Sequence, residues 1–81
     1  MVNVLYFAAI RETLGLGNSS HELAAACSVE QFVVTLRSQG DVWDKALGGQ
    51  LLCSINQEMV SAGTLLNDGD ELALFPPVTG G

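Results

Sequence analysis

The two most apolar strand-like runs of this chain stand at its opposite ends, Val2–Phe7 and Glu71–Phe75. That placement restricts the fold more than any other feature. Both runs are rich in aliphatic, β-branched and aromatic residues over a length usual for strands. Val2–Phe7 is apolar at nearly every position, as a central strand covered on both faces would be. The 81 residues support a single hydrophobic core. The first and last strands are therefore the candidates for the centre of one sheet.

Between those runs helix and strand signals alternate. Ala8–Leu14 carries Ile10 and Leu14 on one face, Arg11 and Glu12 on the other, and Gly15 where a helix C-cap belongs. A turn cluster, Gly17-Asn18-Ser19-Ser20, precedes a weak second strand at His21–Ala24. The main helix is plainer. Ser28 and Gln31 make a capping box, Val29, Phe32, Val33 and Leu36 recur at helical spacing, and Gly40 closes the helix. Asp41 and Asp44 start a further short helix that buries Trp43 and Leu47 and breaks at Gly48-Gly49. Leu51–Ile55 reads as a third strand, and Asn56-Gln57 as a turn into a short strand around Met59-Val60. Leu66-Asn67-Asp68-Gly69-Asp70 is a strong turn before the last strand. Phe7, Phe32 and Trp43 are assigned to the core. A mixed sheet over one main helix is the β-grasp arrangement, of the α+β class.

Nine acidic residues against three basic ones (Arg11, Arg37, Lys45) give a net charge of −6. Nucleic-acid binding needs a basic surface, and an anionic membrane would repel this chain, so both partners are excluded. The charge suits docking onto a more basic protein, and serves solubility equally well. Hydrophobic residues at 48% and charged ones at 15% supply a core and argue against disorder. Cys27 and Cys53 lie among apolar neighbours and are too few for a disulfide framework, so they read as reduced, buried thiols. Without a secretory signal or a membrane-length apolar run, a cytoplasmic location is expected. His21, the single histidine, has no catalytic company in sequence. Asp68 and Asp70 lack the further oxygen ligands of a calcium loop and read as turn formers. Nothing resembles a nucleophile–base pair, a metal-ligand set or a phosphate-cradling glycine loop, so the chain is not expected to catalyse alone.

The chemistry lies at the end of the chain. Pro76-Pro77 cannot continue a ladder and stiffens the base of the tail. Val78 and Thr79 favour extended backbone, and Gly80-Gly81 carries no side chains. Such an end passes through a narrow channel and brings its carboxylate close to a reagent. A terminal Gly-Gly arises by chance in about 0.5% of chains, so the pair gains its weight from the acidic body and the Pro-Pro stub. A carboxylate is a poor electrophile. Adenylation by ATP supplies a leaving group, and persulfide attack followed by reductive release then leaves a thiocarboxylate. Its sulfur is a soft nucleophile, ionised at neutral pH.

Asp68–Gly81, ending Phe75-Pro76-Pro77-Val78-Thr79-Gly80-Gly81, resembles the C-terminus of the small, sulfur-carrying subunits of molybdopterin synthase. Leu5–Glu12 is similar to the opening strand and helix of that ubiquitin-like β-grasp family, and Asn56 matches a family position. The resemblance implies that Gly81 carries the sulfur, first as adenylate and then as thiocarboxylate, and that Gly80 gives clearance. It implies that Phe75, Pro76, Pro77, Val78 and Thr79 contact a partner where the tail leaves the body, and that Arg11 contacts the activating enzyme. The implied partners are a ubiquitin-activating-like adenylyltransferase that consumes ATP and the large synthase subunit that holds the pterin precursor. No cofactor is expected on the chain itself. Two transfers build the dithiolene of molybdopterin, in an assembly of two large and two small subunits. Neither cysteine falls on a family motif. On the residues alone, Arg11 reads as a solvated helix residue and Phe75 as either core or interface.

Other readings stay open: a carrier for thiazole or tRNA thiolation, a ubiquitin-like protein modifier, or a binding module with an inert tail. The expected architecture is a β-grasp domain over residues 1–75, with a mixed sheet of about five strands on one main helix and short extra helices. A flexible tail is expected over 76–81.

Overall fold

The computed structural model of the chain describes residues 1–77. The expectations for Val78, Thr79, Gly80 and Gly81, and for the flexibility of the tail they form, lie outside the described residues.

Strand β1 (Val2–Tyr6) leads directly into helix α1 (Ala8–Leu14), which ends at Gly15 in the left-handed region, φ 73°. Strand β2 (Asn18–His21) then pairs antiparallel with β1, from Val2↔His21 to Leu5↔Asn18. This strand occupies the expected turn cluster, and the strand expected at His21–Ala24 survives only in its first residue. Pairing to an apolar central strand overrides the turn preference of Asn and Ser, and polar residues suit an edge.

Helix α2 (Val29–Arg37) starts on both halves of the expected capping box: Gln31 N–H donates to Ser28 Oγ at 3.2 Å, and Ser28 N–H donates to Gln31 Oε1 at 3.1 Å. It ends at Arg37 with Ser38 as C-cap, so Gly40 does not close it. Gly40 instead precedes α3 (Asp41–Leu47), and Arg37 Nε donates to Asp44 Oδ1 at 2.9 Å across the two helices. Two short strands were not foreseen, β3 (Cys27–Ser28) and β6 (Leu65–Leu66). Two residues are too few to show a period. Together they anchor the start of α2, where Val29 N–H donates to Thr64 O at 3.0 Å.

Strands β4 (Leu52–Ile55), β5 (Glu58–Val60) and β7 (Glu71–Phe75) complete a five-stranded sheet in the order β2-β1-β7-β4-β5. Strands β1 and β7 pair in parallel, Val4 opposite Leu72 and Tyr6 opposite Leu74, while the other pairings are antiparallel. The two end strands therefore neighbour each other near the sheet centre, as their composition indicated. The helices cover one face. Val2, Val4, Tyr6, Leu72 and Leu74 point into it and meet Phe32, Leu36 and Leu47.

The outer face is not covered in the same way, which corrects the expectation for β1. Its burial alternates, with Asn3 and Leu5 half-buried between fully buried neighbours. Phe7 also departs from its core assignment. It sits at the start of α1, 39% exposed, because β1 has ended and its side chain falls on the outer face. Trp43 packs half-buried at the margin of the core, and Phe32 lies within it. No helix among the described residues is long and apolar enough to cross a membrane.

Replacing Ser28 by Ala removes the cap acceptor and is expected to cost about 1 kcal/mol. Urea unfolding checks this: the midpoint falls with an unchanged slope.

Candidate functional site

The last strand ends beside the end of the first one. Phe75 closes β7, and its ring stacks on that of Phe7 with centroids 4.7 Å apart and planes 13° from parallel. The parallel register makes this meeting unavoidable, since Tyr6 opposes Leu74 and each following residue points to the opposite face. The antiparallel register to β4 adds Leu52 directly opposite Phe75. One row further in, Leu5, Ala73, Ser54 and Met59 lie side by side across four strands. Ala73 and Ser54 are 6% and 5% exposed although they face outward, because their larger neighbours overhang them.

The result is an apolar patch on the outer face at the root of the tail. Leu52 at 42% and Met59 at 58% exposure, with Phe7, stand clear of the sheet. Asn3 opposite Glu71 forms a polar row at the far end of the same face. Pro76 is half-buried, and Pro77 borders a shallow depression with Gly49, Gln50, Leu51, Leu52 and Ala62. An apolar patch with a polar rim is the usual anatomy of a protein-docking surface.

Of the residues singled out from the sequence, the structure brings Phe75, Pro76 and Pro77 to this root. Arg11 stands apart, exposed on α1 with its guanidinium over Gly17: a Cβ added there would lie 3.2 Å from Arg11 Nε. Asn56 is a structural clamp. It occupies the β4–β5 turn at φ 52°, its side chain accepts from Glu71 N–H at 3.0 Å, and it donates to Asp70 at 3.1 Å. Asp70 also accepts from Asn67 N–H at 2.9 Å, so it shapes the turn. Asp68 pairs with the N-terminal amine, which holds its carboxyl below the ordinary value.

Sequence reasoning missed Phe7, Leu52 and Met59 as members of the patch. The available signal was the two-residue alternation that puts 52 and 54, or 73 and 75, on one face. Strands apolar on both faces hide which face that is.

The cysteines do not join the site. Cys53 is buried on the inner face, where its thiol donates to Val60 O at 3.3 Å and burial pushes its pKa up. Cys27 is half-buried, and neither cysteine is in a disulfide. No group of three or more His, Cys, Asp or Glu among the described residues is arranged to hold a metal ion.

A family model, that of the ThiS family, matches residues 4–81. The chain belongs to the ThiS family. It is 46% identical over 83 aligned residues to the molybdopterin synthase sulfur carrier subunit of Escherichia coli, and the match covers 100% of both chains. Its fold superposes with a TM-score of 0.80 on SAMP1 from Haloferax volcanii, at 25% identity over 99% of this chain and 98% of that one. A complex of subunits 1 and 2 of the molybdopterin-converting factor from Helicobacter pylori contains a chain matched with a TM-score of 0.66, at 26% identity over 99% of this chain and 97% of that one. The ubiquitin-like β-grasp fold expected from the sequence is therefore present.

Because Met59 is 58% exposed on the outer face, Met59→Lys is expected to change stability by no more than about 0.5 kcal/mol. Leu74→Ala, inside the core, is expected to cost about 2–5 kcal/mol. Parallel urea melts of the two variants separate surface from core.

Proposed function

We propose that this chain is the sulfur-carrier subunit of a molybdopterin synthase, with the Gly81 carboxyl as its working group. The observation that carries the reading is the apolar patch of Phe7, Phe75, Leu52 and Met59 at the point where the chain leaves the sheet toward Gly80-Gly81. A protein docked on that patch receives the terminus with it. The full-length likeness to a sulfur carrier subunit of this pathway supports molybdopterin over thiazole or tRNA as the destination.

The chemistry follows from the carboxyl. The Gly81 carboxylate attacks the α-phosphorus of ATP on a ubiquitin-activating-like adenylyltransferase, forming the acyl-adenylate and releasing pyrophosphate. The outer sulfur of a persulfide then attacks the acyl carbon and displaces AMP. A thiol reductant cleaves the resulting acyl disulfide and frees the thiocarboxylate. The charged tail enters the large synthase subunit, where its sulfur passes to the pterin precursor. Two such transfers make the dithiolene. The complex of subunits 1 and 2 known from Helicobacter pylori supports the large subunit as partner. The functional unit we propose is cytoplasmic, with two large and two small subunits. The chain supplies no catalytic group of its own; Gly80 gives the clearance, and Phe75, Pro76, Pro77, Val78 and Thr79 contact the partner where the tail leaves the body. Arg11, exposed on α1, is available to the activating enzyme.

Intact-protein mass spectrometry tests the reading after incubation with ATP, a persulfide source and the adenylyltransferase. One oxygen-to-sulfur exchange localised to Gly81 is the expected outcome, and deletion of Gly81 is expected to abolish it without altering the unfolding midpoint. Absence of exchange, with the enzyme active on another carrier, would overturn the proposal. Larger covalent adducts through lysine side chains would point instead to a protein modifier. Met59→Lys is expected to weaken binding to the large subunit at least tenfold, about 1.4 kcal/mol, as titration calorimetry would read.

A further inference from the structure

The inner face of the β1–β2 edge holds a short chain of hydrogen bonds that has only one consistent direction. Tyr6 Oη lies 2.7 Å from Ser19 Oγ, and Ser19 Oγ lies 2.6 Å from His21 Nε2. Tyr6 is 1% exposed, and Ser19 is the one partner of its hydroxyl among the described residues. A buried donor left without an acceptor shifts a folding equilibrium by roughly fivefold to 150-fold, so the arrangement that uses every proton prevails. Tyr6 donates to Ser19, Ser19 donates to His21, and Nε2 is left as the acceptor. The ring proton of neutral His21 then resides on Nδ1.

Protonation breaks this arithmetic. With a proton on Nε2, three donors compete for two contacts. Either the Tyr6 hydroxyl or the Ser19 hydroxyl is stranded, whichever way Ser19 turns. No acidic side chain among the described residues pairs with the ring to compensate. His21 is half-buried and edge-on to Phe32 (centroids 5.9 Å apart) and to Trp43 (6.4 Å), and Trp43 is also edge-on to Tyr6 at 5.8 Å. From β1 the titratable neighbour is Tyr6, reached through Ser19, with its own pKa raised by burial. Neither Glu30 and Arg37 on α2, nor Asp41, Asp44 and Lys45 on α3, nor the adjacent Glu22 forms an ion pair with His21 among the described residues. Burial alone lowers the His21 pKa from its ordinary 6.5.

We infer that the Tyr6–Ser19–His21 chain is a proton-operated latch, which holds edge strand β2 on β1 at neutral pH and loosens it in acid. Because the folded state binds the proton less readily than the open one, its advantage is complete above the open-state value near 6.5. That advantage falls as pH drops toward the lower folded-state value. Opening uncovers the edge of β1 beside Leu5, next to the docking patch.

The test is nuclear magnetic resonance on the full chain. Long-range proton–nitrogen spectra of His21 at neutral pH are expected to show the Nδ1–H tautomer, and Ser19→Ala is expected to erase that preference. Hydrogen-exchange protection of the β2 amides, corrected for intrinsic rates, is expected to fall at least about fivefold between pH 7 and pH 5, while β4–β7 amides keep theirs. His21→Gln, which presents an uncharged acceptor, is expected to hold β2 protection level across that range. An Nε2–H tautomer in the native chain, or an equal acid loss in His21→Gln, would overturn the latch.

Discussion

The parallel pairing of β1 with β7 is the constraint on which the rest of this structure hangs. It joins residues 68 positions apart, Val4 with Leu72, and closing so long a loop costs on the order of 4 kcal/mol in chain entropy. Two fully buried side chains of the Val and Leu kind offset that, at about 1.5–3 kcal/mol each, and Val2, Val4, Leu72 and Leu74 are all at 0% exposure. Every other element is placed relative to this pair. β2 and β4 add to its two edges, α2 and α3 cover its inner face, and the Asn56 clamp fixes where β7 begins. Formation of the pair is a non-local event, which slows folding relative to a domain built from local contacts alone.

The same pairing builds the apolar patch. One residue past Tyr6 and one past Leu74, the outward-facing positions are both phenylalanine, and their rings stack because the strands run together. The patch and the departure of the tail thus share a structural cause. A mutation that shifted the β1–β7 register by one residue would turn Phe75 inward and break up the patch.

Legibility in the sequence followed the strength of local signals. Ser28 with Gln31, Gly15 and Gly69 announced their caps and turn, because each meets a backbone need that few residues meet as well. The central strands were legible from composition. What stayed hidden depended on partners far away in sequence. Asn18–His21 forms a strand because β1 offers it a ladder, against the turn preference of its own residues. Cys27–Ser28 and Leu65–Leu66 form strands only in each other's company. Phe7 looked like core for want of knowing where β1 stops. For the site, the glycines and prolines of the terminus were visible in the sequence, whereas Leu52 and Met59 needed the sheet register to be seen beside Phe75.

Parallel end strands also give the molecule two opposite poles. Met1 is tied to the Asp68–Gly69 turn, where its carbonyl accepts from Gly69 N–H at 2.9 Å, while the chain departs beyond Phe75 at the other end of the sheet. A strand of this length separates the poles by roughly 16 Å. A fluorophore, affinity handle or solid support attached at the amino end therefore sits at the opposite end of the sheet from the point where the chain leaves Phe75. Tethering by one pole leaves the other open for the loading and docking steps of the proposed function.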